Sequence, residues 1–478
     1  MSDVGKRVIK ELGRYPIAPL LWKYSLPSIA GMLVSALYNV VDRLYVGRCV
    51  GPDGLAGFAL TFPAMLVTVA FGTLIGHGTA TRISIAMGQG KRHVAQCYLG
   101  QAICLFIILS LTLYPLCAIF VEPIFLIAGG TPDTVKHAAP YMQVVYCTVF
   151  FQYLAHALNN TLRADGFPRK ALISMLLGAI INVILDPFFI FDEVNLYFFK
   201  VPGLDMGIVG AAIATVLAQI VTSIWVLSHF LRKNATLPLK FGYIKLYKPL
   251  LWKMIYLGLP PFALNIVGCS VNTLYNVLFS KYAPTEAIAE REIASIGIIM
   301  TIQMLLCMPV LGVAMGMQPL LGFNTGAKNY DRVLKTFKLA AWWGGGWTFT
   351  ASILTILFRR EIFAIFCKEE MAADLLTYGA DNMMIFFMGF QFVGYAILVG
   401  QYFQAIGRGT ISLAMTLSRQ AFLLVPMLLI FPRIFGLVGI WYAAPVSDVL
   451  SLLMAIGFHV VELRRIKRLI AETTVIPA

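Results

Sequence analysis

Two aspartates stand inside apolar runs, where each needs a partner or a wet cavity. Asp42 lies late in residues 22–48, WKYSLPSIAGMLVSALYNVVDRLYVGR, and Asp186 lies late in residues 181–191, INVILDPFFIF. Read as helices, the first run brings Ser35, Tyr38, Asn39 and Asp42 to one face, and the second sets Asn182 one turn before Asp186. A third run, GIVGAAIATVLAQ, carries Thr215 and Gln219. Packed together, the three helices could place oxygens of Asp42, Asn182, Asp186 and Thr215 around one small volume. Such a cluster has two chemical uses. A carboxylate moved out of water takes up a proton more readily, and carboxylate, amide and hydroxyl oxygens also suit a hard cation such as Na⁺. An uncompensated aspartate at a span centre costs about 2.5–3.5 kcal/mol on insertion scales, which favours a functional reason for keeping it. Each acid could instead mark the interfacial end of its helix, since Arg43 follows one and Pro187 the other.

The elements that must position these residues are membrane helices. The chain has 478 residues, is 59% hydrophobic and only 13% charged, with a mean hydropathy of +0.80, whereas a soluble protein carries roughly 25% charged residues. The apolar residues come in blocks near the ~20 residues that cross a bilayer as a helix. Blocks and breaks predict about twelve spans: 20–44, 55–82, 95–120, 138–163, 168–191, 206–230, 252–280, 292–325, 336–358, 377–405, 410–431 and 437–462. The expected fold is an all-α polytopic membrane protein.

Loop charges alternate along the chain. One set holds Lys6, Arg7, Lys10 and Arg14, then Lys91 and Arg92, Arg169 and Lys170, Arg232 to Lys248, Lys328 to Lys335, and Arg464 to Arg468. The other is acidic, running from Asp53 through Glu122, Asp133, Asp192, Glu193, Asp205, Glu286, Glu290 and Glu292 to Glu369, Glu370 and Asp374. The basic set belongs in the cytoplasm, so both termini are expected there. The net charge of +14 therefore sets topology, and no nucleic-acid partner is expected. The N-terminus, polar and basic over Met1–Arg14, does not read as a cleavable signal peptide. The eight cysteines show no CxxC and no metal spacing with histidine. His77 and His156 find no second ligand in register.

The longest cytoplasmic connection, Arg232 to about Lys253, divides the chain near its middle, predicting an N-terminal six-helix lobe over 1–235 and a C-terminal one over 236–478. Internal echoes support a duplication: Leu37-Tyr38-Asn39-Val40 recurs as Leu274-Tyr275-Asn276-Val277, Ala164-Asp165-Gly166 resembles Ala405-Ile406-Gly407, and Gly207-Ile208-Val209-Gly210 resembles Gly436-Leu437-Val438-Gly439. Paired repeats with a pathway between them are a transporter signature. The repeat sets Tyr275 or Phe279 opposite Asp42, so duplication kept the helix and not the acid. Glycines at 72, 76, 78, 312 and 316 allow close helix packing. Asp448 in the twelfth span is a candidate site or the partner of a neighbour, and Arg82 and Arg419 are the main mid-span cations.

Four stretches together, LPSIAGMLVSALYNVVDRLYVG, GHGTATRISIAMGQGK, LRADGFPRKALISMLLGAIINVILDPFFIF and GIVGAAIATVLAQ, resemble the multidrug and toxic compound extrusion (MATE) family over nearly the whole length. The resemblance implies two six-helix lobes around a central cavity and ion-coupled export by alternating access. It implies that Asp42, Asn182, Asp186 and Thr215 form a cation or proton site, with H⁺ or Na⁺ as the coupling ion and no cofactor. Tyr38, Asn39, Tyr141 and Asn159 match positions near that pocket and are the expected substrate residues. The seventh span lacks the acid that one branch of the family uses in its second lobe, so coupling is expected in the first lobe alone. The expected function is an antiporter expelling amphipathic, often cationic compounds across the plasma (inner) membrane, acting as a monomer. A flippase for lipid-linked precursors is the alternative, disfavoured by the scarcity of mid-span Arg and Lys. An intramembrane enzyme is disfavoured because no paired Asp-rich motif or GxGD-type acid is present.

Overall fold

In hydrocarbon a backbone must satisfy its own N–H and C=O groups, and the apolar runs of this chain do so as helices. The computed structural model describes residues 3–49, 51–127, 130–196, 199–232, 235–366 and 373–475, and the side chains of Asn39 and Asp42 lie outside the described part. The first half holds α1 (Asp3–Arg14), α2 (Ile17–Cys49), α3 (Gly51–Gly88), α4 (Arg92–Ile119), α5 (Val121–Ile127), α6 (Pro132–Ala164), α7 (Pro168–Ile190) and α8 (Gly207–Leu231). The second holds α9 (Lys248–Tyr282), α10 (Glu286–Gly326), α11 (Tyr330–Leu357), α12 (Arg359–Ala364), α13 (Ala373–Phe387), α14 (Phe390–Ala405), α15 (Gly409–Leu417), α16 (Val425–Phe435) and α17 (Leu437–Val475).

Among the described residues nine helices are long and apolar enough to cross a membrane, and α13 with α14, bent by 45°, makes a tenth. The remaining two expected spans are α6 and α11, which have the length but carry more polar residues. The all-α polytopic fold is therefore the one the apolar blocks predicted. Several local elements were not expected, the short helices α5 and α12 among them. Met1–Arg14 read as a polar segment, yet α1 buries Val8 and Leu12. The acidic loop after α7 folds into an antiparallel hairpin, β1 (Glu193–Leu196) with β2 (Phe199–Pro202). Ser418–Leu424, between α15 and α16, winds as a π-helix.

The chain forms two compact units: Met1–Tyr15 with Ala30–Gly258, and Pro16–Ile29 with Leu259–Ala478. The change of unit falls just past Pro27 inside α2, and just before Pro260 and Pro261 inside α9. A helical proline removes one i→i−4 bond and is the usual place for a bend.

In the first unit small residues let helices approach. A Cβ on Gly76 would sit 2.9 Å from the Ala157 Cα, and one on Gly72 3.0 Å from the Tyr153 ring. The long connection is docked on α4: Arg92 Nε donates to the Thr236 carbonyl at 2.8 Å, and the Tyr247 N–H donates to Gln101 Oε1 at 3.1 Å. In the second unit Gly312 and Gly316 of α10 meet the backbone of Ile29 and Ser25. Its core gathers Phe279, Phe363, Phe387, Phe390 and Trp441. Glu292, expected among the outer-loop acids, is instead buried in α10 and accepts from Trp441 Nε1 at 2.9 Å.

The internal echoes are also backbone echoes. Gly166 and Gly407 both take left-handed conformations (φ +97° and +89°), as do Gly207 and Gly436 (φ +54° and +63°). In the latter pair of motifs the second glycine, Gly210 or Gly439, presses on the carbonyl of Phe189 or Phe431 in the preceding helix.

Candidate functional site

The candidate site rests on how α7 and α8 pack antiparallel. Gly210 faces the Phe189 carbonyl at one end of the contact, and Gly178 faces Thr222 toward the other. Ala211, Ala212, Ala214 and Ala218 are buried between and beyond them. Such small residues let backbones come together, and the resulting register brings Asn182 to Thr215. Asn182 Nδ2 donates to Asp186 Oδ1 at 3.1 Å and to Thr215 Oγ1 at 3.1 Å. The three side chains keep 1%, 0% and 5% of their exposure. Asn182 Oδ1 is buried and has no hydrogen-bond partner among the described residues. The amide therefore spends both donors inside the cluster and leaves an oxygen over. A carboxylate, a hydroxyl and a spare amide oxygen are hard donors, suited to Na⁺ or to a proton on the acid. Among the described residues no group of three His, Cys, Asp or Glu could hold a metal of the zinc type.

Other expected site residues lie apart or outside. Asn159 donates to the Ala171 carbonyl at 2.7 Å and to Ser174 Oγ at 2.5 Å, which ties α6 to the first turns of α7, about 12 Å along the helix from Asn182. Tyr141 is buried in α6, its hydroxyl 3.8 Å from the Met65 sulfur. Tyr38 is half-buried on α2. Asn39 and Asp42 stand on α2 at the expected helical positions, their side chains outside the described part.

The structure adds charged groups that spacing did not single out. Arg163, 3% exposed, donates from Nη1 to Asn160 Oδ1 at 2.8 Å, with His77 and His156 as electrostatic neighbours. Asp165, fully buried in the loop between α6 and α7, accepts from His229 Nε2 at 2.8 Å, and His229 Nδ1 in turn lies 2.9 Å from Lys170 Nζ. The single hint in the sequence was an acid inside an otherwise basic loop. Burial raises the Asp165 carboxyl above the usual carboxylate range, and the His229 hydrogen bond pulls it back. Stability from this group is present below the ordinary carboxylate range and is lost as pH rises through the folded value. His229→Ala, which removes the opposing bond, is therefore expected to lower stability by about 1.5–3 kcal/mol near neutral pH, with the deficit shrinking as the pH falls. His229→Gln, which keeps a donor, should recover much of it. Thermal unfolding in detergent across pH checks both.

Asp448 is the partner of a neighbour: Arg419 Nε donates to Asp448 Oδ1 at 2.7 Å. Arg82 Nε donates to the Lys253 carbonyl at 3.0 Å.

The profile of the family described as MatE matches residues 27–188 and 254–430, well over half of the chain. The multidrug export protein MepA of Staphylococcus aureus is 24% identical over 448 residues, covering 92% of this chain and 93% of that protein. MepA of Staphylococcus haemolyticus is 25% identical over 446 residues, covering 92% of each. Among solved structures, an outward-facing multidrug resistance MATE family transporter of the MOP superfamily aligns with a TM-score of 0.87 at 22% identity, covering 98% of this chain and 100% of that one. The MATE multidrug transporter DinF-BH, solved as a complex, aligns with a TM-score of 0.82 at 29% identity, covering 92% and 95%.

Proposed function

Because the chain belongs to the MatE family, a family of transporters and not of enzymes, we propose that it is an antiporter that expels amphipathic, often cationic small molecules in exchange for H⁺ or Na⁺. The observation that carries this reading is the buried Asn182–Asp186–Thr215 cluster between α7 and α8, with its spare amide oxygen. A buried carboxylate carries a desolvation cost in hydrocarbon, and a cation or proton bound at this cluster would lower it. Asp42 on α2 is the proposed second acid of the same site.

A transported ion must bind the two conformations of its carrier with different strength, or it shifts nothing. In this reading the ion neutralises Asp186, and α2, with Pro27 as its proposed bending point, carries the change. Tyr38, Asn39, Tyr141 and Asn159 are the proposed substrate-facing residues. The lobes are proposed to divide at residue 235, with both termini on the cytoplasmic side of the plasma membrane and the monomer as the working unit.

The test is export of a cationic dye from proteoliposomes holding the purified chain, driven first by a pH gradient and then by a Na⁺ gradient. Export under one gradient alone identifies the coupling ion. Leakage equal to empty vesicles under both overturns the reading.

A further inference from the structure

The second unit holds an intramembrane charged pair that the ion site does not use. Arg419 lies in the π-helical turn between α15 and α16, about 15 Å along its span, and Asp448 lies about 16 Å into α17. Both are near the depth where a charge is least tolerated. Single π turns inside α-helices concentrate at functional sites.

The geometry of the pair is unequal. Asp448 keeps 2% of its side-chain exposure, whereas Arg419 keeps 22%. Among the described residues Arg419 is engaged through Nε alone, by Asp448 Oδ1. Its two terminal nitrogens, with four N–H donors between them, have no partner among the described residues. Beside the pair, the Tyr275 hydroxyl on α9 and Ser451 Oγ, one turn after Asp448, are buried and likewise without a hydrogen-bond partner among the described residues. Tyr275 and Cys307 are the electrostatic neighbours of the pair.

A purely structural ion pair would close its donors, because each polar group left open in a membrane interior costs free energy and a buried pair is no better than an apolar one at stabilising a fold. Here Asp448 holds the guanidinium through Nε and leaves the terminal fork without a partner among the described residues. A planar fork of that kind matches a carboxylate with two parallel hydrogen bonds. The repeat strengthens the reading. The ninth, fifteenth-to-sixteenth and seventeenth helices are the repeat counterparts of α2, α7 and α8, and Tyr275 is one of the two residues set opposite Asp42. The helices that gather the proposed ion site in one half therefore gather an anion-receiving cluster in the other.

We propose that Arg419, held by Asp448 and flanked by Tyr275 and Ser451, binds the carboxylate of a carboxylate-bearing amphipathic substrate within the second half. This rests on the efflux reading for its biological meaning and not for its chemistry.

The probes are rhodamine 110, which carries a free carboxylate, and rhodamine 123, its methyl ester on the same ring system. Fluorescence anisotropy on the full-length protein in detergent gives the two affinities without requiring transport. The wild type is expected to bind rhodamine 110 at least tenfold more tightly than the ester. Arg419→Lys, which keeps the charge and loses the fork, should cut that preference to about threefold or less. The double variant Arg419→Gln/Asp448→Asn, which removes both charges and leaves no unpaired ion, should abolish it. Equal affinities in the wild type, or a preference unchanged in either variant, overturn the proposal. A chain that shows the preference and its loss but drives no export of either dye leaves this site standing and sinks the efflux reading instead.

Discussion

Asp186→Asn is expected to reduce gradient-driven export to the level of empty vesicles while leaving the protein folded and inserted. The substitution is nearly isosteric, and the Asn182 Nδ2 donor, now 3.1 Å from Asp186 Oδ1, keeps an acceptor in the amide oxygen. What disappears is the charge. The carboxylate is fully buried between α7 and α8, and removing a buried charge from an apolar surrounding relieves part of its desolvation cost. The unfolding temperature in detergent should therefore stay level or rise as export falls. That combination separates loss of coupling from loss of structure. Asp42→Asn, measured in parallel, is expected to behave alike. Full export from the Asp186 variant would remove the ion-site assignment, whereas a protein that no longer unfolds cooperatively would assign Asp186 to the architecture.

Gly258→Ala is expected to destabilise the first unit by about 1–3 kcal/mol, the usual cost of overpacking, and to lower the yield of folded protein in the membrane. A Cβ at Gly258 would fall inside the van der Waals envelope of the Leu74 carbonyl, with the Leu74 Cα 2.9 Å away. Gly78, on the same helix as Leu74, presses the Met254 carbonyl in the same manner. Both obstacles are backbone, so no rotamer change relieves them. The crossing is also tied by Thr79 Oγ1, 3.0 Å from the Met254 sulfur, and by Arg82 on the Lys253 carbonyl. Gly346 in α11 is the control: a Cβ there meets nothing within 4 Å, and its change to alanine should be neutral or stabilising by the helix propensity gained, up to ~1 kcal/mol. Detergent melting curves of the two variants decide the matter, and equal melting would show that the α3–α9 approach relaxes at little cost.

Much of the architecture was legible because the bilayer simplifies the problem. Backbone groups must pair within a helix wherever water is absent, so an apolar run such as 95–120 or 168–191 has little choice, and the helices found there are Arg92–Ile119 and Pro168–Ile190. The ends were less legible, because polar flanks such as Glu286–Arg291 extend the helix beyond its apolar run. Glu292 was misplaced for that reason. The hairpin after α7 escaped because strands of four residues carry a weak pattern, whereas α1, strongly amphipathic, escaped because its basic residues were read for topology alone.

The sequence by itself determined the membrane class, the spans and the duplication. It also settled which residues share a helix face, because the helical repeat carries Asn182 onto the face of Asp186 whatever surrounds them. Tertiary structure alone decided which faces meet. The pairing of Asn182 with Thr215 depends on how closely Gly178 and Gly210 let two backbones approach. The partners of Asp165 and Asp448, His229 and Arg419, stand on other elements far along the chain. Periodicity fixes an angle around one axis and says nothing of the distance between two axes. That distance, set by side-chain volume at each crossing, decides which groups an acid in an apolar helix meets.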